Sequence, residues 1–558
     1  MTEPALPRPG GGPAVSRRQV LRGLLGVAGL AVGATAAGVT ASGCTPSGPG
    51  RAASTTTSTG SAPSPAPSAP PTAPVTLGRG PVLAAQRSTA PGSVPRFKSR
   101  PDLRPPPIVV DVHHAGADPG LVMTDCHGGK GQQGPMIIGP GGELVWFDPV
   151  SDHGTPTLRA FNLRVQAYRG RPVLCWFEGA VVDGHGQGHY RIVDQSYRPV
   201  ATVHGANGLH GDLHELFLTD RGTAVFTAYG TATADLSRLG GAKDGSYFYG
   251  EVQEVDVATG QLLFSWRSDH HVGFGESYST PPADGQVPWD YFHINSIAED
   301  PSDHSLVVSS RNCWAAYKIG WRGGGAGAGD RGKVLWRLGG KRSDFAVDAN
   351  ARWAYQHDVT PQAGGTYTIF DNEGSPWVDP PSRALVLSVD EAGRRARLSR
   401  QYLHSPAVRS PALGSVQDLA GGHVFVGWGD AAYFTEYGAS GQVLDDTQLV
   451  GVISYRAFKQ AWIGRPTRPP DLAVDGSGSS GPVLYVSWNG ATEVASWRVL
   501  AGPSPSRLSV VGTARKLGWE TRVVPGSALH LAGGSGHVAV EALDASGGVL
   551  STSAVQAL

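Results

Sequence analysis

From Asp111 onwards, short apolar runs alternate with turns rich in Gly, Asp and Asn. That is the period of β-hairpins and not of helices. Two hairpin types interleave. One reads apolar-x-apolar, Asp or Gly, a turn with Gly, then an apolar strand often ending in Trp. Its copies run from Ile137 to Trp146, Ile192 to Val203, Val255 to Trp266, Tyr317 to Trp336, Leu387 to Leu398 and Thr435 to Leu444. The other opens on His. Asp212-Leu213-His214-Glu215 leads to Thr223–Tyr229, Phe292-His293-Ile294-Asn295 to Ser305–Asn312, and Tyr355-Gln356-His357-Asp358 to Thr366–Asn372. A further copy, Ser415-Val416-Gln417-Asp418 to His423–Trp428, keeps the hairpin and puts Gln in the place of His.

Paired, the two hairpin types make four-stranded units, and such units at spacings of tens of residues indicate a β-propeller. The expected fold is all-β: a six-bladed β-propeller over 96–470 and a small C-terminal β-sandwich over 481–558, with Pro469-Pro470 and Asp475-Gly476-Ser477-Gly478 at the break. The innermost strand of each blade lines the axis. One repeated position carrying imidazole therefore predicts that His214, His293 and His357 meet in one funnel, with Arg311 reaching it from the end of a second strand.

Composition supports this reading. Gly is 78 and Pro 43, and Lys+Arg and Asp+Glu are both 46, so no global field favours nucleic acid or an anionic surface. The first 44 residues read as an address. Ser16-Arg17-Arg18-Gln19-Val20-Leu21-Arg22 is a twin-arginine signature, followed by a weak apolar run and Ala41-Ser42-Gly43-Cys44, which resembles a lipobox. Cys44 is the expected lipidation site, with the protein anchored outside the cytoplasm. Residues 45–95 are rich in Ser, Thr, Pro, Ala and Gly and are expected to form a disordered tether. Cys126, Cys175 and Cys313 remain, enough for one disulfide that sequence cannot assign.

Three His and one Arg suit a metal site, nucleophilic catalysis on an anion, or plain anion binding. The permanent charge of Arg311 favours an anion over a metal. Asp358, adjacent to His357, is expected to be structural because neighbours on a strand face opposite ways. Lys341 reads as a solvated loop residue. Trp289, Tyr291, Trp314 and Trp377 are candidates for an aromatic collar.

Asp212-Leu213-His214-Glu215, His293-Ile294-Asn295-Ser296, Ser309-Ser310-Arg311-Asn312, Trp336-Arg337-Leu338-Gly339-Gly340-Lys341, Gln356-His357-Asp358 and Phe370-Asp371-Asn372, in that order, resemble the arylsulfotransferase family of bacterial periplasmic enzymes, in its lipoprotein branch with a C-terminal β-sandwich. The resemblance spans roughly Asp111 to Pro466. It implies a six-bladed propeller that moves a sulfuryl group from an aryl sulfate donor to a phenolic acceptor without cofactor. It implies His357 as nucleophile, with His214, His293 and Arg311 in the active site. Asn295 and Asn372 are candidates for binding the sulfate, and no metal is expected. The alternatives are a binding-only propeller for an anionic ligand, a metal hydrolase, and a quinoprotein-like dehydrogenase suggested by Val255–Trp266 but lacking convergent carboxylates for Ca²⁺.

Overall fold

The computed structural model describes residues 83–558 except 88–94, 130, 151–156, 286, 323–328, 375–380, 477–480 and 530–535. The signal over 1–44 with Cys44, most of the 45–95 tether, and Trp377 lie outside the described residues. Among the described residues the chain is all-β, with only short 3-10 turns besides strands.

Among the described residues six four-stranded antiparallel meanders follow one another, the second and third joined into one sheet where Gly211 pairs with Gly188. The first is Phe458–Gln460, Leu121–Cys126, Gly134–Ile138 and Leu144–Phe147, so a segment from late in the chain supplies its first strand. The second runs Arg159–Tyr168 to Pro199–His204, the third Gly211–Leu218 to Leu262–Arg267, and the fourth Ile294–Glu299 to Val334–Gly339. The fifth runs His357–Gln362 to Arg395–Tyr402, and the sixth Ser415–Asp418 to Val443–Leu449, with Ile108–His113 added at its outer edge. The six hairpins expected to be outer ones supply the third and fourth strands of these units.

The first strands pack against one another in order, from Arg159–Tyr168 round to Phe458–Gln460 and back, closing a ring of contacts. The apolar cores lie between neighbouring meanders. Ile137 and Trp146 pack with Leu174, Phe177 with Phe226, Val225 with Ile297, Val307 with Tyr367, and Ala384 with Val424. Met136 packs with Phe425 and joins the first meander to the sixth.

Four first strands carry a β-bulge: the ladder shifts between Phe161 and Arg164, Gly211 and Leu216, Ile294 and Ser296, and His357 and Thr360. A bulge bends the strand and re-aims its side chains. The bulged strands share an ionic knot whose centre, Arg456 and Glu215, is buried. Arg456 Nη1 meets Glu215 Oε2 at 2.8 Å and Asp358 at 3.4 Å, and its Nη2 donates to the Asn295 carbonyl at 2.9 Å. Arg164 pairs with the other oxygen of Glu215. Five meanders therefore meet at one guanidinium pair, which no local sequence pattern announces.

After the sixth meander come two further sheets around one core. One holds Asp471–Asp475, Val483–Ser487 and Glu520–Val524; the other Arg507–Arg515, Ser496–Ser504, His537–Leu543 and Val549–Thr552. Val486, Trp497, Val499 and Val540 fill the space they share. The expected boundaries shift here. Ala84–Arg87, inside the 45–95 stretch expected to be tether, is a strand on the edge of Glu520–Val524, and Leu83 is buried in that core. Asp471–Asp475, ahead of residue 481, belongs to the same sheet. An open sheet edge offers unpaired backbone groups to any nearby extended segment, which overrides the polar composition of the stretch. Cys126, Cys175 and Cys313 are buried and free, so the three form no disulfide.

Candidate functional site

The structure brings His214, His293 and His357 together: one ring nitrogen from each lies within 4.8 Å of the others. Ring centroids of His214 and His293 are 4.9 Å apart, and those of His214 and His357 6.4 Å. The three do not share one place in their ladders. His293 lies opposite Arg311, whose N–H donates to its carbonyl at 2.9 Å, and His357 lies opposite Phe370. By register the matching residue in the third meander is Gly211, opposite Ala228; His214 comes three residues later, on a wider bulge. The expectation of a single repeated position is corrected: His357 is the last paired residue before its bulge, His293 lies one residue before the corresponding Ile294, and His214 lies three residues after the corresponding Gly211. The sixth meander is corrected as well: its matching residue is Ser415, opposite Gly427, not Gln417.

His357 is the most tightly specified group. Its Nδ1 meets Asn372 Oδ1 at 2.7 Å. The Asn372 amide nitrogen donates to the carbonyls of Ser410 at 2.8 Å and Leu413 at 2.9 Å, which orients the amide. Oδ1 must therefore accept, so His357 carries its proton on Nδ1 and presents a bare lone pair on Nε2. The Leu413 N–H points to that lone pair at 3.3 Å. Burial, reinforced by the charge of Arg311 and by His214, pushes His357 well below 6.5, so the ring is neutral at pH 7.

Each of the other two imidazoles is backed by a carboxylate that the sequence reading did not assign. His214 Nδ1 donates to Asp212 Oδ2 at 2.7 Å, and Asp212 also accepts from the His214 and Gly186 backbone N–H groups and from Thr227 Oγ1. Burial raises the Asp212 carboxyl, but His214 and these donors outweigh it and hold it at about 2. His293 Nδ1 meets Asp290 Oδ2 at 2.5 Å, and His185 Nε2 meets the same oxygen at 3.3 Å. Burial pushes His293 down to about 4 against the pull of Asp290. Burial also opposes charge on His185, yet the bond to Asp290 raises it. The signal for these partners was present as Asp-x-His in 212–214 and Asp-x-x-His in 290–293; Asp183-Gly184-His185 carries the same spacing, yet His185 bonds to Asp290.

Arg311 stacks its guanidinium on Tyr355 at 4.8 Å and donates to Asn312 Oδ1 at 3.1 Å and the Pro411 carbonyl at 3.2 Å. With five N–H donors, the fork has capacity left for an anion. Backbone strain gathers around it: His293, Trp314, Tyr355, Asp358 and Leu413 all have φ between 52° and 67°. Such residues cost on the order of 1 kcal/mol each and concentrate at functional sites.

Asn295 and Asn372 are not free to bind sulfate. The Asn372 amide is fully spent on His357 and two carbonyls, and Asn295 Nδ2 donates to the Gln356 carbonyl at 2.6 Å while its Oδ1, an acceptor, would repel an anion. Both position the strands and the ring. Asp358 binds Arg456 and the Val416 N–H, a structural role as expected. Lys341, exposed, caps the Ser277 carbonyl. Trp289 and Tyr291 belong to the core between the third and fourth meanders and form no collar. Trp314 is half-buried and stacks on Tyr278 at 3.6 Å and edge-on to Tyr355 at 5.1 Å.

A sequence profile described as Arylsulfotransferase (ASST) matches residues 164–448, just over half of the chain and inclusive of all four clustered residues. This chain belongs to the arylsulfotransferase family. No curated protein matches it. Solved structures that align with this arylsulfotransferase family member include a Bacteroides caccae protein of unknown function, with 10% identity over 61% of this chain and 98% of that one and a TM-score of 0.38. Virginiamycin B lyase from Staphylococcus aureus aligns at 9% identity over 61% and 88%, with a TM-score of 0.30. At these scores neither carries an argument about this chain. Within the family member's site, the His set also has the form of a metal centre, since two rings are held by carboxylates as ligands often are. His357 Nε2 already receives a backbone N–H, and Arg311 adds a fixed positive charge; both favour an anion there.

Proposed function

We propose that this arylsulfotransferase family member works by a sulfohistidine route on the axis of a six-bladed β-propeller, with the two later sheets forming a β-sandwich. The observation that carries it is the tautomer of His357: a neutral ring, with Nδ1–H committed to Asn372 and the Nε2 lone pair held only by the long contact from the Leu413 N–H, near Arg311. In the donor step Nε2 attacks sulfur, the bond from sulfur to the aryl oxygen breaks, and a phenol leaves. In the acceptor step a second phenol gives its proton to the imidazole that protonated the first, its oxygen attacks that sulfur, and the bond from sulfur to Nε2 breaks, so that His357 regains its lone pair. Charge on the sulfuryl oxygens meets the Arg311 fork and the Leu413 N–H, as guanidinium and amide donors meet phosphoryl oxygens. A bound sulfate favours protonation of the imidazoles beside it. His214 or His293, each backed by a carboxylate, then supplies the proton to the departing phenolate, a contribution of roughly 10²–10⁴ in rate.

We propose also that the twin-arginine signature exports the folded protein and that Cys44 carries a lipid holding it to the membrane. The sequence motifs at 16–22 and 41–44 support this.

The test is incubation with 4-nitrophenyl sulfate and a phenol. Nitrophenol release is expected to rise with acceptor concentration, and mass spectrometry to place a sulfuryl group on the peptide holding His357. An unmodified peptide during turnover would refute the covalent route. Stoichiometric zinc in active protein, lost together with activity on chelation, would favour a metal hydrolase instead.

A further inference from the structure

Arg311 is the permanent charge of the site, and neutral groups hold it. Among the described residues it makes no ion pair; Asp290 and Asp430 favour its charge without bonding to it. Its contacts are Asn312 Oδ1 at 3.1 Å, the Pro411 carbonyl at 3.2 Å and the ring of Tyr355, whose centre is 4.8 Å from the guanidinium carbon. A carboxylate partner would spend the charge, whereas neutral partners leave it for an anion. The two hydrogen bonds use one N–H from each terminal nitrogen, and both are at the long end of the normal range. The broadest surface that the fork rests on is therefore the Tyr355 ring.

A ring can set the direction of the fork only if it is itself fixed. Tyr355 is buried, and Gly374 packs directly on it: a Cβ on Gly374 would lie 2.2 Å from ring carbon Cδ2. Trp314 meets the ring edge-on at 5.1 Å and 63°. Trp314 in turn stacks flat on Tyr278 at 3.6 Å and 9°, and the Lys341 ammonium lies 4.7 Å from the Tyr278 ring centre. The Tyr278 N–H donates to the Asn312 carbonyl at 2.8 Å, which returns to the residue beside Arg311. The contacts thus close a circuit through Arg311, Tyr355, Trp314, Tyr278 and Asn312. Within it Trp314 has φ 52° and Tyr355 φ 57°, a backbone region that bulky residues avoid and that surrounding packing has to enforce.

We propose that Tyr355 is a positioning residue for Arg311: its ring face, locked by Gly374 and by the Trp314–Tyr278 stack, holds the fork in the direction that meets a tetrahedral oxyanion. That the oxyanion is a sulfuryl group in transfer rests on the sulfohistidine reading; binding of free sulfate does not require turnover. The stack ends at Tyr278, which is partly exposed. A change there reaches the fork through two aromatic contacts, and a change at Trp314 through one, so the effect on anion binding should fall with distance along the stack.

The full protein is titrated with inorganic sulfate by calorimetry, and the same preparations are assayed for transfer from 4-nitrophenyl sulfate. Tyr355→Leu should weaken sulfate on the order of tenfold, the size of a desolvated cation–π contact, and lower kcat/KM for the donor at least as much. Tyr355→Phe keeps the ring face and should restore sulfate affinity to within about twofold of wild type. Trp314→Leu should weaken sulfate severalfold and Tyr278→Ala about twofold; both lie further from the core of the site and keep the series readable if Tyr355→Leu folds poorly. In an Arg311→Leu background Tyr355→Leu should have no further effect on sulfate. Wild-type sulfate affinity in Tyr355→Leu, a loss in Tyr355→Phe equal to that in Tyr355→Leu, or a Tyr355 effect undiminished without Arg311 would overturn the proposal. Affinities graded as expected in a protein showing no transfer would uphold the positioning role and count against the sulfohistidine reading alone.

Discussion

The fifth and sixth meanders are neighbours with the same hairpin plan, and their first strands differ by one residue of register. In Ser415–Asp418 every residue pairs in step, from Ser415 with Gly427 to Asp418 with Val424. In His357–Gln362 the ladder skips between His357 and Thr360, and Asp358 takes φ +53°. The straight strand spends its polar side chain on structure: Gln417 donates to the Lys459 carbonyl at 2.9 Å and accepts from its N–H at 2.7 Å, pinning the sixth meander to the first. The bulged strand turns Asp358 down to Arg456 and frees His357 to meet Asn372 and the open site. The lesson is that chemistry sits where the strand breaks its period, and that similar sequences on an unbroken strand act as fasteners.

The largest break in this comparison is expected from His357→Ala, which should bring sulfuryl transfer to background, a loss of a thousandfold or more as for other covalent nucleophiles; steady-state nitrophenol release measures it. Asp290→Asn comes next. It removes the carboxylate shared by His293 and His185, and kcat should fall by roughly 10²–10⁴, the range for a lost general acid, while His357 is still labelled slowly. Asn372→Leu should cost about 10–100-fold, as for other residues that orient a reactive imidazole. Its signature is loss of the fixed tautomer, seen in the ¹⁵N shifts of His357; wild-type shifts in that variant would refute the role.

A pH titration sharpens the contrast further. Because His357 is held well below 6.5 in the folded protein, the donor-step burst should keep its rate as the pH drops through 6.5, where a free imidazole would lose its lone pair. Stability moves the other way. His293 takes its proton near 4 when folded and near 6.5 when unfolded, so in that window the unfolded chain binds more protons. Stability contributed by keeping it neutral is present above 6.5 and is lost on acidification toward 4, which a series of melting curves would show. The smallest effect on chemistry is expected on the straight strand. Gln417→Ala should lower stability by about 1–3 kcal/mol through the two lost bonds to Lys459 and leave kcat per folded molecule unchanged; a large fall in kcat would mean that the sixth meander takes part in catalysis after all.

The amino-acid order by itself determined the all-β class, the hairpin repeat and the choice of His214, His293, His357 and Arg311 as candidate site residues. Hydrophobic period and turn residues are local, and a hairpin is a local object. Tertiary structure decided where each imidazole falls in its ladder, because a bulge adds one or three residues without altering the apolar pattern around it. It also decided that Asn295 and Asn372 position neighbours instead of binding substrate, since a side chain's spare hydrogen-bonding capacity depends on partners such as Gln356, Ser410 and Leu413. The same Asp-x-His spacing occurs at Asp125 and His127, bonded at 2.6 Å, yet His127 stacks on Phe161 and stays outside the cluster. Only the closing of the ring, fastened at Arg456, sets which of these pairs faces the shared space. That is a set of long-range contacts, such as the one from Arg456 to Glu215 across 241 positions, and no window of sequence contains it.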